Sequence, residues 1–558
     1  MFRYITVLFF LSLGMRAFSS DTVRVESGRY GIDKDLKWIL VNKSPDEIRS
    51  ACPGMKEAFF LDELYTLSKP LAEVSPGQAY RVENERKETY TLYLTELPLI
   101  FIASEETIVD EPKVRGHFTL TESNGTQVDA DMGIELRGGY TQHKYAKKSF
   151  RIEFRDYLPA DTVEKDYSLL GLRSDDDWDL QAMANEPLRM NEKTSFDIWR
   201  KIHTLSYADK EPEAIGSCRM KYAELFLNGS YQGVYCVSEP IDRKQLKLKK
   251  YKVDTGIRGE LYEAKGYGPT TFDICPDYPE TGFAWIDKGD NGYYCKYPKE
   301  VYPDWRDLYD FVESVIFESY DWFFPGYRER FDMQNAVDYF ILLNLSRACD
   351  NTGNNLFVAR YDAGLPFFYV PWDLDGTFGN KWNGSRDTIT TDLLSNGFYD
   401  RLLREKTPGG FVETLESKWK QLRKDWLTVD GVMEMFEENH RMLMDNAVYE
   451  REERAWGSRD LYAYDPTYMA YMREWIAKRI AVLDGKFLKN GVDVPKVVAD
   501  RWQYPCEVLL YDGSGSLLRR MSVASADDDR WRENLSAGTY IVRFRGAGFE
   551  ETTKLVMP

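Results

Sequence analysis

The residues of this chain that are best suited to chemistry lie between positions 345 and 380. Asp350 is followed five positions later by Asn355, and Asp373 and Asp375 stand together in the sequence WDLDG. Carboxylate and carboxamide oxygens with few cations nearby are the ligands that Mg²⁺ and Mn²⁺ prefer. This group of side chains therefore indicates an acidic site for a divalent cation.

The two parts of this site are separated by a segment that predicts a β-hairpin. Leu356–Tyr361 and Pro366–Val370 are rich in aromatic and β-branched residues, and the sequence DAG between them is typical of a short loop. Because a hairpin brings its ends together, Asp350 and Asn355 are expected to lie close to the WDLDG acids. The apolar segment Met333–Asn344 upstream predicts a buried helix.

A lysine stands at the start of another predicted strand, KKSFRIEFR at 147–155. Phe150, Ile152 and Phe154 alternate on the face that should be buried, and Lys147 begins the polar face. A lysine in this position is commonly a solvated charge. Since the same chain carries the acidic group, a contact between Lys147 and a phosphate is the favoured interpretation.

A second hairpin is predicted in the sequence LFLNGSYQGVYCVSEPID. Asn228-Gly229 is a strong type I′ turn signal, and the second strand should end at Glu239 because Pro240 cannot donate to the ladder. A strand that ends in Glu-Pro is similar to a hinge that joins two lobes and meets a nucleotide base through main-chain groups. The same residues would fit an ordinary surface turn equally well.

The remaining pattern predicts further helices, a loop-rich insertion and several short strands. Residues 266–303 are rich in Gly, Pro, Asp and Tyr, and Cys275 and Cys295 in this insertion could form a disulfide. The segments with a helical stripe of apolar residues are Glu186–His203, Trp305–Phe323, Phe411–Trp426, Gly431–Trp456 and Tyr468–Lys489.

Composition limits the class of protein. The chain has 558 residues, so two to four domains are expected, and its net charge of −18 argues against nucleic acid and anionic membranes as partners. The first twenty residues have the pattern of a secretory signal peptide, and no later apolar run approaches the length of a transmembrane segment. We therefore expect a protein that is exported to the outer cell surface or medium, with the periplasm as an alternative.

Four segments in order, ELRGGY with KKSFRIEF, LFLNGSYQGVYCVSEPID, DMQNAVDYFILLNLSRACDNTGNNLFV and YVPWDLDGTFG, resemble the spore-coat-H (CotH) family of atypical secreted kinases. The resemblance covers roughly residues 90–490. It implies an α+β, divergent two-lobed protein-kinase-like fold that binds ATP with Mg²⁺ (or Mn²⁺) and phosphorylates Ser or Thr of extracellular or surface proteins. Common kinase motifs are missing: the sequence contains no GxGxxG loop, HRD, DFG or APE.

The resemblance also implies roles for individual residues. It assigns catalysis to Asp350, ATP contacts to Lys147 with Lys148 as its rival, to Glu239 and to Arg137, and metal binding to Asn355, Asp373 and Asp375. Glu192 is the candidate partner of the lysine.

The expected domains are a signal peptide (1–20), a β-rich extension (21–88), the kinase-like domain (89–492, divided near 240 into N-lobe and C-lobe) and a small C-terminal β-sandwich (498–558). The last resembles the sorting domains of type IX secretion substrates, through Gly538, Tyr540 and Lys554. That resemblance implies a Gram-negative, Bacteroidota-like surface protein.

Two other functions are open at this point. A catalytically inactive surface protein could keep a pseudokinase fold, since fold does not fix function. A carbohydrate-binding surface protein could use the paired carboxylates and the abundant Trp and Tyr. Whether phosphate or AMP is transferred, and to which acceptor, is also open.

Overall fold

The computed structural model describes residues 21–122, 124–158, 161–457, 464–488, 506–512, 516–523, 530–532, 535–536, 538–546 and 549–557. The chain divides into two compact units, Met1–Lys489 and Asn490–Pro558. The signal peptide predicted at 1–20 lies outside the described residues.

The strands are β1 (Thr22–Arg24), β2 (Tyr30–Asp33), β3 (Trp38–Val41), β4 (Lys56–Phe60), β5 (Leu64–Leu71), β6 (Ala79–Glu83), β7 (Thr89–Leu94), β8 (Leu99–Ala103), β9 (Val114–Thr121), β10 (Gln127–Arg137), β11 (Ser149–Tyr157), β12 (Thr162–Glu164), β13 (Tyr167–Ser168), β14 (Ser174–Asp175), β15 (Asp177–Gln181), β16 (Met220–Leu227), β17 (Ser230–Ser238), β18 (Glu260–Lys265), β19 (Ala284–Ile286), β20 (Gly292–Tyr297), β21 (Leu356–Arg360), β22 (Phe368–Pro371), β23 (Cys506–Asp512), β24 (Leu517–Val523), β25 (Gly538–Gly546) and β26 (Phe549–Met557). The helices are α1 (Pro45–Ala51), α2 (Tyr140–Lys144), α3 (Asn191–Ile202), α4 (Arg243–Leu246), α5 (Arg306–Phe317), α6 (Tyr320–Arg330), α7 (Met333–Ser346), α8 (Gly397–Leu402), α9 (Phe411–Asp425), α10 (Val429–Asp445), α11 (Val448–Trp456) and α12 (Tyr468–Phe487). The prediction that the chain mixes helices and sheets is confirmed.

The central sheet of the first unit closes on itself. Its order is β10-β9-β8-β16-β17-β15-β11-β12, and β10 also pairs with β11, so that the strands from β10 to β11 close a ring and β12 lies outside it. Phe150, Ile152 and Phe154 of β11 are buried in its core, as the alternation predicted. The turn at Asn228-Gly229 joins β16 to β17 with both residues at positive φ, as a type I′ turn requires.

The N-terminal sheet, in the order β1-β4-β5-β6-β7-β3-β2, packs against this closed sheet. Trp38 and Tyr93 share a small apolar core with Phe226 and Tyr231 of the β16–β17 hairpin. The Asp33 carboxylate accepts a hydrogen bond from the backbone N–H of Tyr231 at 2.9 Å. The first strands of the chain therefore support the hairpin that they contact.

The following half of the first unit is mostly helical around a sheet ordered β19-β20-β18-β21-β22. The predicted hairpin is β21 and β22, and the predicted buried helix is α7, where the Asp332 side chain accepts from Asn335 N–H at 3.1 Å. The stripe over Trp305–Phe323 predicted one helix, which was wrong: α5 ends at Phe317, because Glu318 and Ser319 have extended backbone before α6.

One further predicted helix is also divided. The segment Gly431–Trp456 breaks between α10 and α11 at Ala447, which has a φ of 50°. The Asn446 side chain at this break accepts from the backbone N–H of Glu96 at 2.7 Å. A long-range contact therefore fixes the break, and α11 is redirected to pack on β17.

In the second unit the described strands form one antiparallel sheet, β24-β23-β25-β26, with a core that includes Val508, Val542 and Phe544. The four strands were predicted. The second sheet that a sandwich needs is not present among the residues described here, so the β-sandwich is not confirmed.

Throughout the part of the chain that the structure describes, no helix combines the length and the apolar character that crossing a membrane requires.

Replacement of Gly233 by alanine should destabilise the first unit. Gly233 in β17 has a φ of 93°, and an added Cβ would lie 2.4 Å from Oε1 of Glu452 in α11. We expect Gly233→Ala to lower the free energy of unfolding by about 1–3 kcal/mol, measured by urea denaturation. Gly229→Ala is the matched control, because Gly229 also has positive φ but has open space where the Cβ would stand. Equal losses in both variants would contradict a role for the Glu452 contact.

Candidate active site

A cavity of about 820 Å³ lies in the first unit, beside the ends of β10 and β15, the start of α3 and the turn after β22. Six of the eight predicted site residues line it: Arg137, Lys147, Asp350, Asn355, Asp373 and Asp375. Lys148 and Glu239 are not part of its wall as described. The β21–β22 hairpin therefore brings the acidic residues together, as predicted.

The β21–β22 hairpin holds the two acidic segments in register. Trp372 N–H donates to Asn355 O at 3.1 Å, and the Asn351 amide donates to the carbonyls of Asn355 and Trp372, at 2.7 Å each. Asn355 and Asp373 both have a φ near 50°, which turns the chain sharply at each end of the hairpin. Asn351 was not among the predicted site residues, because an Asn in a loop carries no distinguishing pattern.

The predicted pair Asp350 and Asn355 is in direct contact. The Asn355 amide donates to Oδ2 of Asp350 at 3.1 Å. The other carboxylate oxygen, Oδ1, accepts from the Tyr267 hydroxyl at 2.7 Å. Asp350 is thus held from two sides by neutral donors.

Two glutamates that the sequence analysis did not assign to the cation site extend the acidic group. The Glu186 carboxylate accepts from the backbone N–H groups of Asn191 and Glu192 at the start of α3, at 2.6 and 3.2 Å. Burial raises the pKa of Glu186 to about 7. Burial and the nearby charges of Asp373 and Glu186 raise the pKa of Glu192 well above its usual range. Acids at helix starts are common for dipole reasons alone, so the sequence could not single these out.

The two carboxylates after the hairpin, Asp373 and Asp375, also have raised pKa values. Burial raises the pKa of Asp373, against the opposing effect of Arg137. Burial and the charge of Asp373 raise the pKa of Asp375 well above its usual range, and Asp375 accepts a hydrogen bond from Asn185. Several acids in one low-dielectric space destabilise each other's charged forms.

The donor set fits a divalent cation. The cavity wall contains twelve carboxylates and six basic side chains, so it carries an excess of negative charge. A hard cation at Asn355, Asp373 and Asp375 would relieve that repulsion. The described carboxylates whose oxygens approach in threes within 4.8 Å do not include Asp350, Asp373 or Asp375; they are the groups Glu153, Glu164, Asp176 and Asp166, Asp175, Asp176, of which Glu153 also lines the cavity. Asp176 there already pairs with the Lys244 ammonium at 2.7 Å.

Lys147 is buried rather than solvated, and it lines the cavity together with Ser149 and Arg151 of the predicted polar face. It is 1% exposed, and its ammonium donates to Ala182 O at 3.0 Å, to Val234 O at 2.5 Å and to Glu452 Oε1 at 2.5 Å. These three acceptors match its three donors. Glu452, and not the predicted Glu192, is its partner, because α11 reaches the closed sheet.

Glu452 joins two cations to the main chain of β17. Besides Lys147 it accepts from Arg189 Nε at 2.8 Å and from Val234 N–H at 3.1 Å. Burial acts to raise the pKa of Glu452, but the two cations outweigh it and lower the pKa below its usual range. Burial lowers the pKa of Lys147 to about 8. The site depends on this pair for the position of the segment at 182–186.

The remaining predicted ATP contacts differ in their surroundings. Arg137 faces the cavity, with Nε 3.1 Å from Asp179 Oδ2 and its guanidinium 5.2 Å from the Trp372 ring. Lys148 instead donates to two backbone carbonyls of the α2 segment, Gln142 O and Tyr145 O, at 2.5 Å each. Its assignment as an ATP contact is therefore corrected: local carbonyls hold it away from the cavity wall.

The Glu239 side chain is used within the fold, and the expected nucleotide contact through main-chain groups at this position stays a prediction. Its buried carboxylate accepts from Arg173 N–H at 2.8 Å and from Arg219 Nε at 2.8 Å. A buried carboxylate that is hydrogen-bonded in this way serves the local fold. The residues that follow it, Pro240, Ile241 and Asp242, do line the cavity.

The predicted disulfide is absent: Cys275 and Cys295 are both free thiols. The Cys295 thiol faces the backbone carbonyl of Pro298 at 3.3 Å, within its own turn.

The family model described as CotH kinase protein matches residues 134–483, which is more than half of the chain and includes every lining residue that is named above. The chain belongs to the CotH kinase family. Inner spore coat protein H of Bacillus subtilis (strain 168) is 25% identical over 311 residues, covering 52% of this chain and 74% of that protein. The family resemblance expected from the four sequence motifs is therefore confirmed.

Removal of the Lys147 charge should destabilise this CotH-family domain strongly. Lys147→Met leaves Glu452 buried with one cation fewer, and breaking a buried pair on one side costs about 3–5 kcal/mol. Urea denaturation measures the loss. Glu452→Gln should cost more than Lys147→Met, because it leaves both Lys147 and Arg189 buried without their carboxylate, whereas Lys147→Met leaves the Arg189–Glu452 pair in place. A smaller loss in Glu452→Gln than in Lys147→Met would contradict the role of Glu452 as the shared partner.

The buried acids should make the metal-free protein less stable as pH rises. Glu186 and Glu192 bind protons more tightly when folded than when unfolded, so unfolding free energy falls between about pH 4.5 and pH 7, where Glu186 ionises. Glu192→Gln should make this fall smaller in thermal melts with EDTA. Glu434→Gln, at an exposed position of α10, should leave the slope unchanged. An identical slope in the Glu192 variant would contradict its inclusion in the acidic group.

Proposed function

We propose that this CotH-family protein is an atypical protein kinase that transfers the γ-phosphate of ATP to Ser or Thr hydroxyls of extracellular or surface proteins. One observation supports this most directly. Asp350 and Asn355 before the β21–β22 hairpin and Asp373 after it lie on the wall of one cavity, which is large enough for a nucleotide. The family's description as a kinase is consistent with this arrangement.

Each residue has a proposed role. Asp350 accepts a hydrogen bond from the acceptor hydroxyl and takes its proton. Mg²⁺ (or Mn²⁺), held by Asn355 and Asp373 with Asp375 as a second acid, would neutralise phosphate charge in the transition state. Arg137 offers a guanidinium at the cavity wall, and Lys147 acts through position, because its donors are already used by protein acceptors.

The proposed location is outside the cell. The signal-peptide pattern at 1–20 and the Gly538, Tyr540 and Lys554 pattern of the C-terminal unit support export and sorting. The Bacillus subtilis relative is by its name a protein of a spore coat.

A second candidate is a protein that binds nucleotide without transferring phosphate. It is favoured by the burial of Lys147, which leaves no free donor on that ammonium for ATP. The two candidates share nucleotide binding and differ in turnover.

Thermal denaturation with Mg²⁺ and ATP tests the shared step. Ligand at a hundredfold its Kd should stabilise by about 2.7 kcal/mol. We expect a metal-dependent rise in Tm that is lost in Asp373→Asn, which removes a ligand charge at nearly constant shape. Asp254→Asn, at an exposed turn, is the control that should keep the rise. No rise at millimolar ATP would refute both candidates.

Transfer of labelled phosphate to a Ser/Thr peptide library then separates them. Asp350→Asn should keep the Tm rise while lowering transfer by about 100-fold or more. Nucleotide binding with no transfer by the unaltered protein would favour the second candidate.

A further inference from the structure

One side chain of the insertion at 266–303 forms a hydrogen bond with the proposed catalytic residue, Asp350. Tyr267 donates its hydroxyl to Oδ1 of Asp350 at 2.7 Å, while Asn355 donates to Oδ2. Tyr267 is 46% exposed and is not among the residues that line the cavity, whereas Asp350 is. Asp350 therefore connects the cavity wall with a half-exposed phenol of the insertion.

The loop that carries Tyr267 is built against the Asp350–Asn355 loop. Gly266 N–H donates to the Asn354 side chain at 3.0 Å. A Cβ on Gly353 would lie 2.3 Å from Cγ2 of Thr271, so only glycine permits this close approach. The main-chain position of Tyr267 is thus fixed by the packing of the two loops.

The contact has the geometry of a general base with its substrate. A base must lie within about 2.6–3.2 Å of the hydroxyl oxygen whose proton it takes. Burial and the hydrogen bond to Asp350 raise the pKa of the Tyr267 phenol above its usual range, so the proton stays on the phenol and points at the carboxylate. The phenolic hydroxyl therefore faces the carboxylate oxygen of the proposed base at a distance suited to proton transfer.

We propose that Tyr267 is an internal phosphate acceptor, which the chain phosphorylates in cis when ATP and a divalent cation are present. This inference rests on the proposed function. The phenolic oxygen forms a bond to the γ-phosphorus and the bond from that phosphorus to the bridging oxygen breaks. ADP leaves with the electron pair, and the phenolic proton passes to Asp350 and then to water.

The test is phosphosite mapping by mass spectrometry on phosphatase-treated protein incubated with Mg²⁺ or Mn²⁺ and ATP. We expect phosphate on Tyr267, with a rate constant that is unchanged over a tenfold range of protein concentration. Asp350→Asn should lower the rate by about 100-fold or more. Tyr302, which is 60% exposed in the same insertion, should stay unmodified, so that exposure alone cannot explain the result.

The variant Tyr267→Phe should lose this modification, and Tyr302→Phe should retain it. Mapping on the unaltered protein decides the question even if the Phe variant is unstable. Phosphate on other residues with Tyr267 unmodified would overturn the inference and leave the kinase proposal standing. A rate proportional to protein concentration would overturn the cis assignment. Absence of an ATP-dependent Tm rise would identify a failure of the proposed function itself.

Discussion

The buried pair between Lys147 and Glu452 is the interaction on which the rest of the first unit depends. The two residues are 305 positions apart, and both are almost completely buried. A charge taken from water into a protein interior must be paired and hydrogen-bonded, or its desolvation is strongly unfavourable. Each group here has its partner: Arg189 and the Val234 N–H complete Glu452, and two carbonyls complete Lys147. Helix α11 is thereby fixed to the closed sheet.

This pair also determines where the cavity wall lies. Lys147 donates to the carbonyl of Ala182, and the chain continues from there to Asn185 and Glu186, which line the cavity. Arg451, next to Glu452, pairs with the buried Glu224 of β16. Buried ion pairs and hydrogen bonds therefore connect helix α11, the closed sheet and the cavity wall. A nucleotide site in this protein would be supported from α11, far along the chain from the strand that carries the lysine.

The electrostatics of the cavity support the proposal that its function requires a cation. Acids outnumber bases in its wall, and burial raises the pKa of six of them: Glu135, Asp177, Glu186, Glu192, Asp373 and Asp375. A polyphosphate alone would be repelled by such a surface. A divalent cation reverses the sign of the local field and lets the same carboxylates act as ligands. The acidic excess is consistent with a site for a metal–nucleotide complex rather than for a free anion.

Local rules in the sequence determined the elements that carry the predicted site. Alternation placed Phe150 and its neighbours in the core, Asn228-Gly229 specified a type I′ turn, and the two short runs after Asn355 formed the hairpin that joins the acids. These features are decided within a few residues by backbone preference and by which face is apolar, so they can be read without a structure.

Only the tertiary structure decided the partners. Some of these residues are separated from their partners by long stretches of chain, and others have no distinguishing sequence pattern. They are Glu452, Glu186, Glu192 and Tyr267. The same holds for the closure of the sheet between β10 and β11 and for the break at Ala447. The physical reason is that a buried charge is balanced by whichever group the fold brings near, and proximity in space is not encoded by local periodicity.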